Sequence, residues 1–93
     1  MDPLYRRAPR IAARVIEGAA YVVAVDQQRM VELDEVGTFV WEHLREPASV
    51  QGLTDLLTEE FDVDGPRARA DLEKFLALLE ERGLVISDVE GQP

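Results

Sequence analysis

The chain has 93 residues, no cysteine and a formal net charge of -9, which excludes disulfide bonds, thiolate zinc sites and cysteine nucleophiles. Hydrophobic residues make up 46% of it and charged residues 31%, which is typical of one small folded domain and not of a disordered chain. No apolar run approaches the roughly 20 residues that a membrane span needs, and the N-terminus lacks the apolar core of a signal peptide, so we expect a cytoplasmic protein.

The charge is unevenly distributed along the chain. Residues 1–33 hold five basic and four acidic side chains, whereas residues 34–93 hold five basic and fifteen acidic ones. Nucleic-acid binding requires a basic face that replaces phosphate counterions. The acidic larger part of the chain therefore argues against a partner made of DNA or RNA.

Three short β-rich runs follow an N-terminal arm that we predict to be flexible over residues 1–12. The runs cover residues 14–16, 20–25 and 29–33, and polar turn residues separate them. Such runs at this spacing predict a three-stranded antiparallel meander whose third strand lies at the edge of the sheet.

Beyond residue 33 the apolar residues recur every three or four positions, which predicts three amphipathic helices. Asp34, Ser49 and Asp64 stand where the N-caps of these helices are expected. Pro47 ends the first helix because proline disfavours helical geometry in the residue before it. Gly83 is placed to end the third helix in a left-handed cap.

The remaining residues complete a single domain. We expect residues 84–86 to pack back as a short extended segment and residues 87–93 to form a disordered tail. Residues 13–86 then form one α+β domain, in which a three-stranded antiparallel sheet is followed by three helices. No internal repeat or linker divides it.

The sequence offers no set of residues suited to catalysis or to a metal ion. His43 is the only histidine, and no cysteine can join it, whereas metal sites need several such ligands. The glycines are scattered singly, so the sequence contains no glycine-rich phosphate-binding loop. We therefore expect no enzyme activity and no cofactor.

Two surfaces remain for binding. The edge strand at residues 29–33 carries unpaired backbone groups that can accept another strand. One face of the third helix, beside its core stripe, carries four recurring side chains: Arg67, Asp71, Lys74 and Leu78. A solvated face with one exposed leucine accounts for the same pattern, so the residues alone leave both alternatives open.

Between residues 31 and 85 the chain carries, in order, the stretches VELDEVGTFVWEHL, SVQGLTDLLTEEFDV and ADLEKFLALLEERGLV. Their distinctive positions are Leu33-Asp34, Val40-Trp41, Ser49-Val50, Phe61, Asp71-Leu72, Phe75-Leu76, Leu79 and Gly83-Leu84-Val85. This ordered set resembles the PqqD family, which are peptide-binding chaperones also called recognition elements of ribosomally synthesised and post-translationally modified peptides (RiPPs). The chain departs from the family in having aspartate at position 34, where asparagine is commoner, and Arg45-Glu46-Pro47 where many members carry Asp-Gly.

The resemblance implies a winged helix-turn-helix-like domain whose third strand and third helix form a groove for the leader of a precursor peptide. The leader would add to the third strand as an antiparallel strand, hydrogen-bonded to the backbone of Arg29, Val31 and Leu33. Side chains along the strand and the helix would select the leader. The peptide-binding set implied in this way is Arg29, Met30, Val31, Glu32, Leu33, Arg67, Asp71, Lys74, Phe75 and Leu78.

The function that the resemblance implies is a non-catalytic adaptor that presents a precursor peptide to a modifying enzyme. The partner enzyme is either a radical SAM enzyme, as for PqqD, or the leader peptidase of a lasso-peptide pathway. A second class is a winged-helix DNA-binding regulator, but its recognition helix at residues 66–82 has no net charge and phosphate contacts require positive charge. A third class is a homodimerising module, since an open edge strand can pair with its own copy. We therefore expect a monomer or a weak homodimer.

Overall fold

A computed structural model describes residues 3–27 and 29–89 of the chain. Met1, Asp2, Gln28 and residues 90–93 lie outside the described residues, and with them lie parts of the predicted arm, second turn and tail. The elements in chain order are β1 (Pro3–Arg7), β2 (Ile11–Ile16), β3 (Ala19–Ala24), β4 (Arg29–Leu33), α1 (Glu35–His43), β5 (Ala48–Ser49), α2 (Val50–Glu60), α3 (Gly65–Glu81) and β6 (Val85–Val89).

The predicted antiparallel meander is confirmed as the sheet β2-β3-β4. Glu17 and Gly18, with φ of 51° and 84°, form the two-residue turn between its first two strands. A type I′ hairpin turn requires a positive φ at both of its residues. Strand β4 lies at one edge of this sheet and β2 at the other.

The three predicted N-caps are also confirmed. The carboxylate of Asp34 accepts a hydrogen bond from the backbone N–H of the third residue after it at 2.7 Å, and Ser49 and Asp64 make the equivalent bonds at 3.0 and 3.1 Å. Each bond satisfies an N–H that the helix itself cannot pair. Helix α1 ends at His43, which is earlier than the predicted stop at Pro47.

A second sheet, of order β5-β1-β6, was not predicted. Strand β1 pairs antiparallel with β6 from Pro3↔Val89 to Arg7↔Val85. It therefore lies inside the segment expected to be a flexible arm, and β6 continues into the segment expected to be a tail. The pairing joins the two ends of the chain, which no local pattern reveals.

The core lies between the inner face of the β2-β3-β4 sheet and the three helices. Its largest fully buried side chains come from β3, from the three helices and from the residues that follow α1 and precede β6. They are Val22, Val40, Leu44, Leu53, Leu76, Leu79 and Leu84. One buried hydroxyl, that of Thr38, accepts a hydrogen bond from the Ala20 N–H at 2.9 Å and donates one to the Leu33 carbonyl at 3.3 Å. It thereby ties α1 to the ends of β3 and β4. Among the described residues, no helix is long and apolar enough to cross a membrane.

Candidate functional site

Alternate residues of β4 direct their backbone groups either to β3 or to the free edge, and the hydrogen bonds of β3 show which residues do which. The Val25 N–H donates to the Arg10 carbonyl at 3.0 Å, on the β2 side of β3. The Ala20 N–H instead points to Thr38 Oγ1, which lies against the Leu33 carbonyl of β4. Because backbone groups alternate between the two edges of an antiparallel strand, Ala20, Val22 and Ala24 face β4.

It follows that Met30 and Glu32 present their backbone N–H and C=O groups to the free edge. Their neighbours Arg29, Val31 and Leu33 pair with Ala24, Val22 and Ala20 and direct their backbone groups to β3. This is the reverse of the assignment that the family resemblance implied, which gave the free hydrogen bonds to Arg29, Val31 and Leu33. The alternation alone does not say which set faces the neighbouring strand.

The side chains of β4 divide between the two faces of the sheet. Leu33 is 3% exposed and Val31 is half-buried, and both face the helices. Arg29 shares this face because side chains two residues apart point the same way. Met30, 67% exposed, and Glu32 stand on the opposite face, so the structure does not bring these two predicted side chains to the helix side.

Helix α3 presents the predicted residues along one flank of its buried stripe. At 3.6 residues per turn, half-buried Phe75 lies next to the stripe and Asp71 and Leu78 follow it outward. Arg67 and Lys74 lie further round, at the solvent side. The opposite flank faces α2, where the Arg69 guanidinium donates to the Gln51 amide oxygen at 2.9 Å.

Two close approaches fix where β4 lies along α3. A Cβ placed on Gly37 would stand 3.2 Å from Cζ of Phe75 and 3.3 Å from Cβ of Leu33, so Phe75 reaches the junction of β4 and α1. A Cβ on Gly83 would stand 2.6 Å from Nε2 of Gln27, just before β4 begins. Strand β4 therefore runs antiparallel to the second half of α3. We call the strip of surface that β4 and this half of α3 border the β4–α3 groove.

The Phe75 end of this groove opens into a pocket of about 330 Å³. Its lining comes from α1, α2, α3 and the loop between the last two helices: Asp34, Val36, Gly37, Val40, Leu57, Phe61, Val63, Ala68, Asp71, Leu72 and Phe75. The lining is mainly apolar, and Val36 and Val63 are exposed apolar residues. Neither residue was predicted to belong to the site, because only the assembly of three helices creates the space.

The charged residues of the groove are loosely held. The Arg67 Nε lies 3.9 Å from the Asp71 carboxylate, and both side chains are largely exposed, so the pair contributes little to stability. Within residues 3–27 and 29–89, Arg29 and Lys74 form no ion pair. These groups can therefore bond to an incoming ligand without breaking a buried network.

The single histidine does not build a site. Nδ1 of His43 lies 2.9 Å from the Phe39 carbonyl oxygen one turn earlier, and its ring packs on Phe39 at a centroid distance of 4.3 Å. In the part of the chain that the structure describes, no three histidine or carboxylate side chains gather closely enough to hold a metal ion.

Two solved structures with a similar fold are complexes with leader peptides. The chain is similar to the structure entitled "TbiB1 in Complex with the TbiA(beta) Leader Peptide", at 24% identity and a TM-score of 0.80, over 95% of this chain and 98% of that one. It is also similar to "Lasso peptide synthetase B1 complexed with the leader peptide", at 18% identity and a TM-score of 0.78, over 88% and 96% of the two chains. At these identities the likeness establishes the fold.

The sequence itself places the chain in a family. No curated protein matches it, but the family described as Coenzyme PQQ synthesis protein D (PqqD) matches residues 20–85. That stretch runs from β3 to the first residue of β6 and includes both walls of the β4–α3 groove and every lining residue of its pocket. The resemblance seen in the sequence motifs is therefore confirmed, and the chain belongs to the PqqD family.

Proposed function

We propose that this protein binds the leader segment of a RiPP precursor peptide in the β4–α3 groove and presents the precursor to a modifying enzyme. The observation that carries the proposal is the free edge of β4, with the backbone groups of Met30 and Glu32 facing outward beside the open flank of α3. The leader-peptide complexes of its structural neighbours support the same use of the fold.

The leader adds to β4 as one more antiparallel strand. Its backbone exchanges hydrogen bonds with Met30 and Glu32, which gives affinity without sequence preference. Selection comes from side chains that point from the added strand toward α3. A large apolar leader side chain fills the pocket of about 330 Å³ beside Phe75, and smaller contacts run past Val31 and Leu78.

Charge adds a second level of selection. Arg29, Arg67 and Lys74 border the groove in a chain of net charge -9, and the acidic residues elsewhere repel an acidic peptide from other surfaces. Acidic leader side chains are therefore drawn to this groove. Because the three cations are exposed, the attraction acts mainly on the association rate and weakens with salt.

The protein acts as an adaptor without chemistry of its own, in the cytoplasm. The enzyme that it serves is either a radical SAM enzyme or a leader peptidase. The likeness to lasso peptide synthetase B1 structures favours the leader peptidase of a lasso-peptide pathway over the radical SAM enzyme that the PqqD resemblance first suggested.

The helices also support a finer description of the fold. We propose that α2 and α3, which meet at a short break after Phe61, correspond to the helix pair of a winged helix-turn-helix-like domain, with β2-β3-β4 beside them. The outer face of α3 mixes Arg67 and Lys74 with Asp71 and Glu73, so this geometry serves peptide binding better than phosphate contacts.

The direct test is an NMR titration of the labelled protein with a synthetic peptide that covers the leader of the precursor encoded beside this gene. We expect shifts concentrated in residues 29–33 and 66–80 and in the lining of the groove pocket. A scrambled peptide of the same composition is the control. The absence of shifts with the cognate leader at saturating concentration would overturn the proposal.

A further inference from the structure

A second pocket, of about 170 Å³, lies at the β2 edge of the β2-β3-β4 sheet, which is the edge opposite β4. Strand β2, the start of β3, the last residue of β1 and the C-terminal end of α1 surround it. Its lining residues are Arg7, Ala13, Arg14, Val15, Ala20, Trp41, Glu42 and Arg45. The guanidinium groups of Arg7 and Arg45 and one carboxylate thus border a small cleft on the helix face of the sheet, whereas the Arg14 side chain, paired with Tyr21, points to the opposite face.

Arg7 is fixed at the floor of this cleft. Its Nε and Nη2 atoms donate to the Trp41 carbonyl at 3.2 and 2.7 Å, and its guanidinium lies 4.5 Å from the centre of the Trp41 ring. Partial burial lowers the pKa of Arg7, and the charge of Arg45 lowers it further, whereas Glu42 raises it. The positive charges are close enough to destabilise one another.

Neither Arg7 nor Arg45 forms an ion pair within residues 3–27 and 29–89, although the charge of Glu42 acts on Arg7. Four other arginines do form ion pairs there: Arg6, Arg10, Arg67 and Arg69. An unpaired cluster of guanidinium groups is a favourable site for a carboxylate, which Arg binds through parallel hydrogen bonds.

The cleft lies beneath a second open strand edge. The Arg10 carbonyl accepts from β3, so by alternation the backbone groups of Ala13 and Val15 face away from β3, toward the free edge of β2. Val15 is 52% exposed and its neighbour Ile16 is also exposed. A free anion would contact neither the free backbone groups of β2 nor these exposed apolar side chains, whereas an extended polypeptide could contact both.

We propose that this cleft binds an acidic side chain carried on an extended segment of a partner protein, which adds to β2 as the leader adds to β4. The carboxylate lies against Arg7 and Arg45 on the helix face of the sheet, beside Val15, and the flanking apolar side chains of the segment, which point to the opposite face, cover Ile16. The site goes beyond leader binding. Because β2 and β4 are opposite edges of one sheet, the leader and the partner protein can be bound together.

The test uses two short probe peptides, acetyl-Val-Asp-Val-amide and its isosteric asparagine analogue, together with inorganic phosphate. Trp41 is the only tryptophan of the chain and lines the cleft, so its fluorescence and indole N–H resonance report binding there. We expect the aspartate peptide to shift Trp41 and the amides of residues 11–16, and the asparagine peptide to bind at least about tenfold more weakly. Equal binding of the two peptides would overturn the proposal.

The charge-reversal variant Arg45→Glu should abolish these shifts without lowering the melting temperature, because the side chain is exposed. Arg69→Glu is the matched control, since it makes the same charge change on α3 outside both sites, and it should bind the aspartate peptide normally. If phosphate binds as tightly as the aspartate peptide and the β2 amides do not shift, the cleft is a simple anion site. That result would overturn the proposal that a protein segment binds there. Leader titration of Arg45→Glu should remain normal.

Discussion

The Phe75 ring stands over Gly37, with its Cζ atom 3.2 Å from where a Cβ at position 37 would lie. A glycine at this point of α1 therefore allows an aromatic side chain of α3 to reach the end of β4. Gly37 and Phe75 thereby both line the pocket at this end of the β4–α3 groove.

Replacing Gly37 by alanine tests that contact. The added methyl group would stand 3.2 Å from both Phe75 Cζ and Asp34 Oδ1 and 3.3 Å from Leu33 Cβ, so these groups must shift slightly, while alanine favours the helix by about 0.5–1 kcal/mol. We expect the free energy of unfolding to change little and the affinity for the leader to fall, as measured by chemical denaturation and calorimetry. Gly65→Ala is the control, because a Cβ there meets nothing within 4 Å. Unchanged affinity in Gly37→Ala would show that Phe75 does not shape the binding surface.

Leu78→Asp tests the open flank of α3. Leu78 is 41% exposed, so the change should leave the fold stable while it places a charge where an apolar leader side chain packs. We expect the leader to bind at least about tenfold more weakly. Ala77→Asp puts the same charge at the neighbouring exposed position on the outer side of the helix and should bind the leader normally. Equal losses in the two variants would indicate a general charge effect.

A pair of proline substitutions in β4 tests which backbone groups face the free edge. Proline lacks the N–H and is tolerated in edge strands only where that group points to solvent. Met30→Pro should therefore keep the fold and lose leader binding. Val31→Pro removes a hydrogen bond to β3 and should lower the free energy of unfolding by at least about 1 kcal/mol. The reverse order of stabilities, measured by thermal unfolding, would contradict the assignment.

Thr38→Val tests the hydroxyl that joins α1 to the sheet. The substitution keeps the side-chain shape but leaves the Ala20 N–H and the Leu33 carbonyl without their buried partner, which should cost about 1–3 kcal/mol of unfolding free energy. Thr58→Val is the control, because its hydroxyl bonds to the Asp55 carbonyl at an exposed position. Equal losses of unfolding free energy in the two variants would mean that the buried bridge stabilises the fold no more than an exposed hydroxyl hydrogen bond does.

The sequence predicted those features that depend on neighbours in the chain. The caps at Asp34, Ser49 and Asp64 depend on residues three positions away, and the meander depends on short turns between β-rich runs. The β5-β1-β6 sheet was missed because Pro3–Arg7 pairs with a strand about 80 residues later, and the pentapeptide PLYRR has no clear strand alternation.

The same distinction between local and long-range features applies to the candidate site. The α3 flank with Asp71 and Leu78 follows from helical periodicity, whereas only the family resemblance implied Phe75 as a site residue. The pocket could not be foreseen, because Val36 and Val63 belong to separate elements that meet only in the folded domain. The free backbone groups could not be assigned either, since strand alternation defines two sets and only the bonds to β3 show which set is free.

Amide hydrogen exchange of β4, with and without the leader peptide, tests leader binding at this edge most directly. In the free protein we expect the Val31 and Leu33 amides to be protected by β3 and the Met30 and Glu32 amides to exchange rapidly. Saturation with the leader should slow exchange at Met30 and Glu32 to the rate of their neighbours. Rapid exchange at these two amides in the saturated complex would show that no strand is added to β4 and would contradict the proposed function.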